Sequence, residues 1–242
     1  MHSMDIVIVG NGKIGHAIAE GLRRARPSWP VRILGRSDDC APAGEADVVL
    51  LCVKPLQVRA ALASLAPALK HDSTLVSVAA KTTLAFLREL LPQGVGVVRA
   101  MPNLPVSELV GMTALACESD ATGIACAETI FAAMGRTVRV EERLMDAATA
   151  MNGCGPAYAY VIVEAWIDAG IKLGFSYETS RTLVAQTLLG AAASVLASDE
   201  HPAALKTAVT TPAGCTIEGL MQLEDGRIRS TIVRAIIAAA KA

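Results

Sequence analysis

The run Gly10-Asn11-Gly12-Lys13-Ile14-Gly15 is the part of this sequence whose residue types and spacing come closest to a chemical task. It follows the β-branched run 5–9 and opens a stretch with helical spacing. In that context the first glycine permits a tight turn and the second lets backbone N–H groups approach a pyrophosphate. The third lets the helix lie close to the strand, with its N-terminus toward the anion. The six residues are expected to hold a dinucleotide; the competing reading is a glycine-rich turn without a ligand. About 20 residues on, an NAD-selective site would place a carboxylate on the ribose hydroxyls. This chain has Gly35-Arg36-Ser37 there, and a guanidinium with a hydroxyl suits a 2′-phosphate. NADPH is the expected cofactor and NADH the second choice, in which case Arg36 is a solvated loop residue and Asp38 or Asp39 takes the ribose. Val53-Lys54-Pro55, Ala79-Ala80-Lys81 and Arg99-Ala100-Met101-Pro102-Asn103 each follow or close a predicted strand. Any one of them could be an ordinary turn. Three along one sheet edge point to a cofactor crevice, with Val53, Lys54, Pro55, Ala80, Met101, Pro102 and Asn103 lining it.

The elements that must carry these residues alternate. Strands are predicted at 5–9, 31–34, 47–53, 74–78 and 95–99, with helical stretches at 13–26, 56–65 and 83–91 between them. Weaker strands at 112–117 and 137–140 flank a helix at 121–134. Repeated βαβ units imply an α/β fold with a doubly wound parallel sheet over residues 1–141. From 142 to 242 no strand pattern appears, and helices are predicted at 143–151, 156–173, 177–197, 203–208, 215–223 and 227–240. That second, all-α domain is rich in Ala and Gly and short for covering its own apolar faces, which predicts burial against a second subunit.

Composition agrees with that architecture and excludes other classes. Of 242 residues, 52% are hydrophobic and only 3% aromatic, so the core draws on Ala, Val, Leu and Ile. The formal net charge is -1 with interspersed signs, unlike a nucleic-acid-binding surface. The most apolar long helix is interrupted by Glu164, Asp168 and Lys172, which argues against a membrane span. Residues 1–5 show no leader pattern, and a cytoplasmic location is expected. Four scattered histidines (His2, His16, His71, His201) suggest no metal site, and six cysteines without a paired framework read as free thiols.

Taken together, the glycine-rich turn, Val53-Lys54-Pro55, Arg99-x-Met101-Pro102-Asn103, Gly153-x-Gly155-Pro156-Ala157-Tyr158 and Val209-Thr210-Thr211-Pro212-Ala213-Gly214-Cys215-Thr216 resemble the pyrroline-5-carboxylate reductases over almost the whole chain. The resemblance implies a Rossmann domain joined to a helical dimerisation domain, and reduction of pyrroline-5-carboxylate to L-proline with NAD(P)H. It implies a homodimer, with dimers assembling into rings. It also implies that the loop 210–216 holds the substrate carboxylate at a helix N-terminus, with the Thr216 hydroxyl meeting the ring nitrogen. The residues are compatible with this: a helix start favours an anion, Thr211 and Thr216 offer hydroxyls, and Gly214 keeps the backbone accessible. A plain helix cap is the alternative. Hydride addition to a C=N bond calls for orientation rather than a strong base, so Thr216 is the expected catalytic residue.

Relatives usually carry Ser-Gly-Ser-Gly-Pro-Ala-Tyr, whereas Asn152 and Cys154 stand in place of the serines here. Thr211 stands for a serine, Ala213 for a glycine, and Cys215 for a small residue. Asn152, Thr211, Gly214 and Cys215 are expected to face the substrate. The changes admit a related ring, such as the six-membered piperideine-2-carboxylate. Two other readings compete: a 3-hydroxyacid dehydrogenase using Lys172, and an NADPH-binding protein without turnover. Cys154 and Cys215 are expected to be packing residues, since neither has a neighbouring cation in sequence to activate it.

Overall fold

The computed structural model describes residues 3–117 and 121–242, so His2 and the first residues of the leader reading lie outside the described part. Its strands are β1 (Ile6–Val9), β2 (Val31–Leu34), β3 (Val48–Leu51), β4 (Thr74–Ser77), β5 (Gly96–Pro102), β6 (Gly111–Ala116) and β7 (Gly135–Arg139). They form one sheet in the order β2-β1-β3-β4-β5-β6-β7. Between them run α1 (Lys13–Ala25), α2 (Val58–Leu65), α3 (Leu84–Glu89) and α4 (Ala121–Ala132).

Alternation along the strands builds two apolar layers. Ile6, Ile8, Val48 and Leu50 meet Ile18 and Leu22 of α1 and Ile130 and Phe131 of α4 on one face. Val7, Val49 and Leu51 meet Leu62 and Leu65 of α2 and Leu84 and Leu87 of α3 on the other. Burial on both faces is why β1 and β3 are continuous apolar runs. The chain first steps from β1 outward to β2 and then returns to place β3 on the other side of β1. A switch point therefore lies between β1 and β3, where ligands of such sheets bind.

The sheet is not wholly parallel, as the βαβ reading expected: β6 pairs antiparallel with β5, Arg99 opposite Ala116 and Pro102 opposite Thr113. Parallel pairing needs a crossover of a dozen or more residues, and the segment between these strands holds only a short 3-10 turn, Leu104–Glu108. β5 also runs three residues past its expected end, which puts Met101 and Pro102 inside the strand rather than in a following loop.

The chain divides into two compact units, Met1–Pro156 and Ala157–Ala242. In the first, the sheet is followed by a 3-10 turn (Glu142–Leu144), α5 (Met145–Ala148) and a π-helical turn (Thr149–Gly153), where a single helix 143–151 was expected. Arg99, 4% exposed, anchors this segment. Its guanidinium reaches Glu142 at 3.2 Å and Asp146 at 3.6 Å, while Glu142 also accepts the Leu84 N–H at 2.5 Å.

α6 (Gly155–Lys172) leads into the second unit, which contains α7 (Tyr177–Ala197), α8 (Pro202–Ala208), α9 (Cys215–Asp225) and α10 (Ile228–Lys241). α6 ends at Gly174, whose φ of 98° suits a residue without Cβ, with the Phe175 N–H closing back on the Gly170 carbonyl at 3.1 Å. Ser176 then caps α7 by accepting the Thr179 N–H. Gly170 lets α6 and α7 approach, since a Cβ there would meet the Ser180 hydroxyl at 2.5 Å. From Ala157 onward only Ile167, Ser180 and Val184 are buried, whereas Leu173 is 78% exposed and Tyr160, Val161, Leu196, Val209 and Val233 are also open. So much uncovered apolar surface on one subunit marks an interface. None of the described helices is long and apolar enough to cross a membrane.

Folding of the second unit is therefore coupled to association. A hundredfold rise in subunit concentration is expected to add about 2.7 kcal/mol to the apparent stability of the assembled form. Calorimetry across that range checks this: Tm should climb with concentration, whereas a monomeric fold gives a constant Tm.

Candidate active site

The glycine-rich turn sits at the switch point. Gly10 has φ 119°, and a Cβ on it would stand 2.5 Å from the Cys52 carbonyl oxygen. A side chain at Gly15 would collide with the Gly10 carbonyl, and its absence brings α1 down onto β1. Gly12 has open space where its Cβ would lie. As the N-cap of α1 it supplies no side-chain cap, and the first turn contains no acidic residue. The leading N–H groups of α1 are thus left facing outward with a positive dipole end, the chemistry of an anion site. Asn11 and Lys13 are exposed around this opening, while Ile14 packs into the core. Cys52, behind the turn, has its thiol pushed up to about 12 by burial, so it remains a neutral packing group.

At the end of β2, Arg36 and Ser37 are exposed. The two carboxylates that could have served a ribose are engaged with backbone amides. Asp38 accepts the Gly35 N–H at 2.7 Å and Asp39 accepts the Ala41 N–H at 3.0 Å. Because β1 to β5 run parallel, the segments after β3 and β4 and the end of β5 share one edge with the glycine-rich turn. Val53 is half-buried, Lys54 and Pro55 are exposed, and Leu56 beside them is 99% exposed. Ala80 is half-buried against Met101 and Met145. Met101 and Pro102 are buried. Asn103 is half-buried, accepting the Met112 N–H at 3.0 Å and donating to the Asn152 carbonyl at 3.2 Å.

Asn152, expected to face the substrate, is half-buried and turns its amide nitrogen to the sheet. Its amide nitrogen donates to the Met101 carbonyl at 2.8 Å and the Met112 carbonyl at 3.1 Å, tying the π-helical turn to the ends of β5 and β6. Sequence gave no sign of this link, nor of the Arg99 cluster beyond a charged residue inside an apolar strand.

In the second unit, Thr210, Thr211, Pro212 and Ala213 lead to Gly214, the N-cap of α9, which has no side-chain cap. The Gly214 N–H closes on the Thr211 carbonyl at 3.0 Å. A Cβ at Gly214 would collide with the Thr211 hydroxyl, so Gly214 allows that hydroxyl to lie over the helix start. Thr216 is half-buried in the first turn, and Thr211 and Cys215 are exposed. Ala213 has φ 56°, a left-handed conformation that an alanine adopts at a cost. Lys172 is exposed in the last turn of α6. Among the described residues no cluster of three His, Cys, Asp or Glu could hold a metal.

A doubly wound sheet whose first turn opens a helix N-terminus at the switch point, followed by a helical unit with uncovered apolar faces, defines a Rossmann-type dinucleotide-binding protein that presents an association surface. A family model described as pyrroline-5-carboxylate reductase dimerisation matches residues 142–242. A pyrroline-5-carboxylate reductase of Methanosarcina acetivorans is 34% identical, covering 100% of this chain and 97% of the relative. One from Glycine max is 36% identical over 99% and 94%. The crystal structure of Plasmodium falciparum pyrroline carboxylate reductase with NADP bound superposes with a TM-score of 0.88, at 30% identity, covering 100% of this chain and 97% of that one. This chain belongs to the pyrroline-5-carboxylate reductase family.

The strain at Ala213 is testable without a ligand. Ala213→Gly is expected to raise unfolding stability by about 0.5–1 kcal/mol, the relief of φ strain being partly offset by a more flexible unfolded chain. Denaturant titration should show a higher midpoint at unchanged slope; a lower midpoint would contradict the conformation of this loop.

Proposed function

We propose that this chain reduces a cyclic imine with NADPH, converting pyrroline-5-carboxylate to L-proline. The observation that carries the reading is the pair of uncapped helix starts, at α1 and α9, in a chain 34% identical along its whole length to a pyrroline-5-carboxylate reductase. The residues at the sheet edge fit a dinucleotide. The open space at Gly12 and the first-turn N–H groups of α1 would take the pyrophosphate, and Arg36 with Ser37 the 2′-phosphate, since Asp38 and Asp39 are held by backbone amides. Val53, Lys54, Pro55, Ala80, Met101, Pro102 and Asn103 would line the remainder of the cofactor site.

At α9, the N–H groups of the first turn and the Thr211 hydroxyl would hold the substrate carboxylate, with Gly214 and Cys215 keeping the approach narrow and free of charge. Thr216 would hydrogen-bond the ring nitrogen and hold a proton there, orienting the C=N bond. The reduced nicotinamide, when bound, supplies a hydride to the imine carbon while the nitrogen takes a proton, giving a secondary amine. Ala213, Cys154 and Cys215 depart from the family pattern, which makes the six-membered piperideine-2-carboxylate the second ring to test. The dimer is the working unit and dimers assemble further, and six free cysteines suit a reducing cytoplasm.

Steady-state NADPH oxidation with both rings tests the reading. Pyrroline-5-carboxylate should be the better substrate, and cofactor binding without oxidation of either would refute it. Thr216→Ala should lower kcat/KM by about 10- to 100-fold, the worth of one charge-assisted hydrogen bond. Arg36→Glu should lower NADPH efficiency at least roughly tenfold while sparing NADH.

A further inference from the structure

The β5–β6 ladder stops at a definite place, and two side-chain amides take over from it. The last backbone pair sets Pro102 opposite Thr113. One residue further, the Asn103 side-chain oxygen accepts the Met112 N–H at 3.0 Å, a bond the ladder no longer makes. The Met112 carbonyl is taken by the Asn152 amide at 3.1 Å, and the same nitrogen donates to the Met101 carbonyl at 2.8 Å. Asn103 completes the ring by donating to the Asn152 backbone carbonyl at 3.2 Å.

The π-helical turn is what aims Asn152 at these carbonyls. The Cys154 N–H bonds the Thr149 carbonyl at 2.9 Å, five residues back, so one extra residue bulges from the helix. Gly153 lies against β5, where a Cβ would make ordinary contact with the Met101 sulfur at 3.4 Å. A serine at this position would have one hydroxyl hydrogen and could not serve both carbonyls.

We infer that Asn152 is a positioning residue. Through its bonds to the Met101 and Met112 carbonyls and the return bond from Asn103, it fixes the end of β5 that receives the nicotinamide half of the cofactor. The assignment to that half follows from topology. The glycine-rich turn follows β1, Arg36 follows β2 on one side of it, and β3, β4 and β5 lie on the other. The adenosine half belongs to the first group of residues and the nicotinamide half to the second. The inference rests on the proposed use of NADPH but does not require the imine to be the substrate.

The test uses the full-length dimer and compares NADPH with adenosine 2′,5′-bisphosphate, which probes only the adenosine half. In Asn152→Ala, NADPH affinity should fall about three- to tenfold while the bisphosphate stays within about twofold of wild type, and kcat should fall about tenfold. Asn152→Asp keeps the size but removes both donors and should behave like the alanine variant. Asn152→Ser restores one donor and should recover part of the loss. Equal weakening of both ligands would overturn the inference, as would a lowered Tm with NADPH affinity and kcat unchanged. If the alanine variant does not fold, the serine variant carries the same comparison. If wild type binds NADPH but reduces neither ring, the imine reading fails while the ratio of the two affinities still decides the role of Asn152.

Discussion

The close approach of the β1–α1 turn to β3 is the constraint on which the first unit depends. Gly10 lies against the Cys52 carbonyl, and Gly15 lies against Gly10 itself. Without those two contacts α1 could not start at the switch point with its first-turn N–H groups open. That helix start suits an anion, since the first turn of α1 holds no carboxylate and Asp38 and Asp39 accept neighbouring amides. Cys52 contributes by staying neutral: its raised thiol pKa follows from burial, and a charged group in that position would oppose phosphate binding.

The second unit repeats the same physics at α9 but cannot stand by itself. The end of α6 and the starts of α7 and α8 are well formed at Gly174, Ser176 and His201, so local structure there is specified by sequence. Their apolar faces are not covered within one subunit, which makes association part of folding rather than an addition to it.

The strands and helices of the sheet unit were legible because hydrophobic period and Gly or Pro punctuation agree there. The turn 10–15 was legible because both its strand and its helix were. What escaped were features set by distant partners. The direction of β6 depends on the shortness of the connection around Leu104–Glu108, and the extension of β5 depends on pairing with β6. The π-helical turn reads as ordinary helix from residues 143–151 until Asn152 finds the Met101 and Met112 carbonyls some forty to fifty positions away. Ala213 shows the reverse case. The sequence marks it as a departure from a familiar glycine, and only the backbone reveals that alanine holds a left-handed conformation there.

The most direct measurement is a crystal structure of the assembled dimer with NADPH and a proline analogue. The expected result has the pyrophosphate on the first-turn amides of α1, the 2′-phosphate on Arg36, and the analogue's carboxylate on the first-turn amides of α9 beside Thr211 and Thr216. A dinucleotide bound away from Gly12, or a carboxylate held elsewhere than the α9 start, would contradict the use of two uncapped helix N-termini as the anion sites of this enzyme.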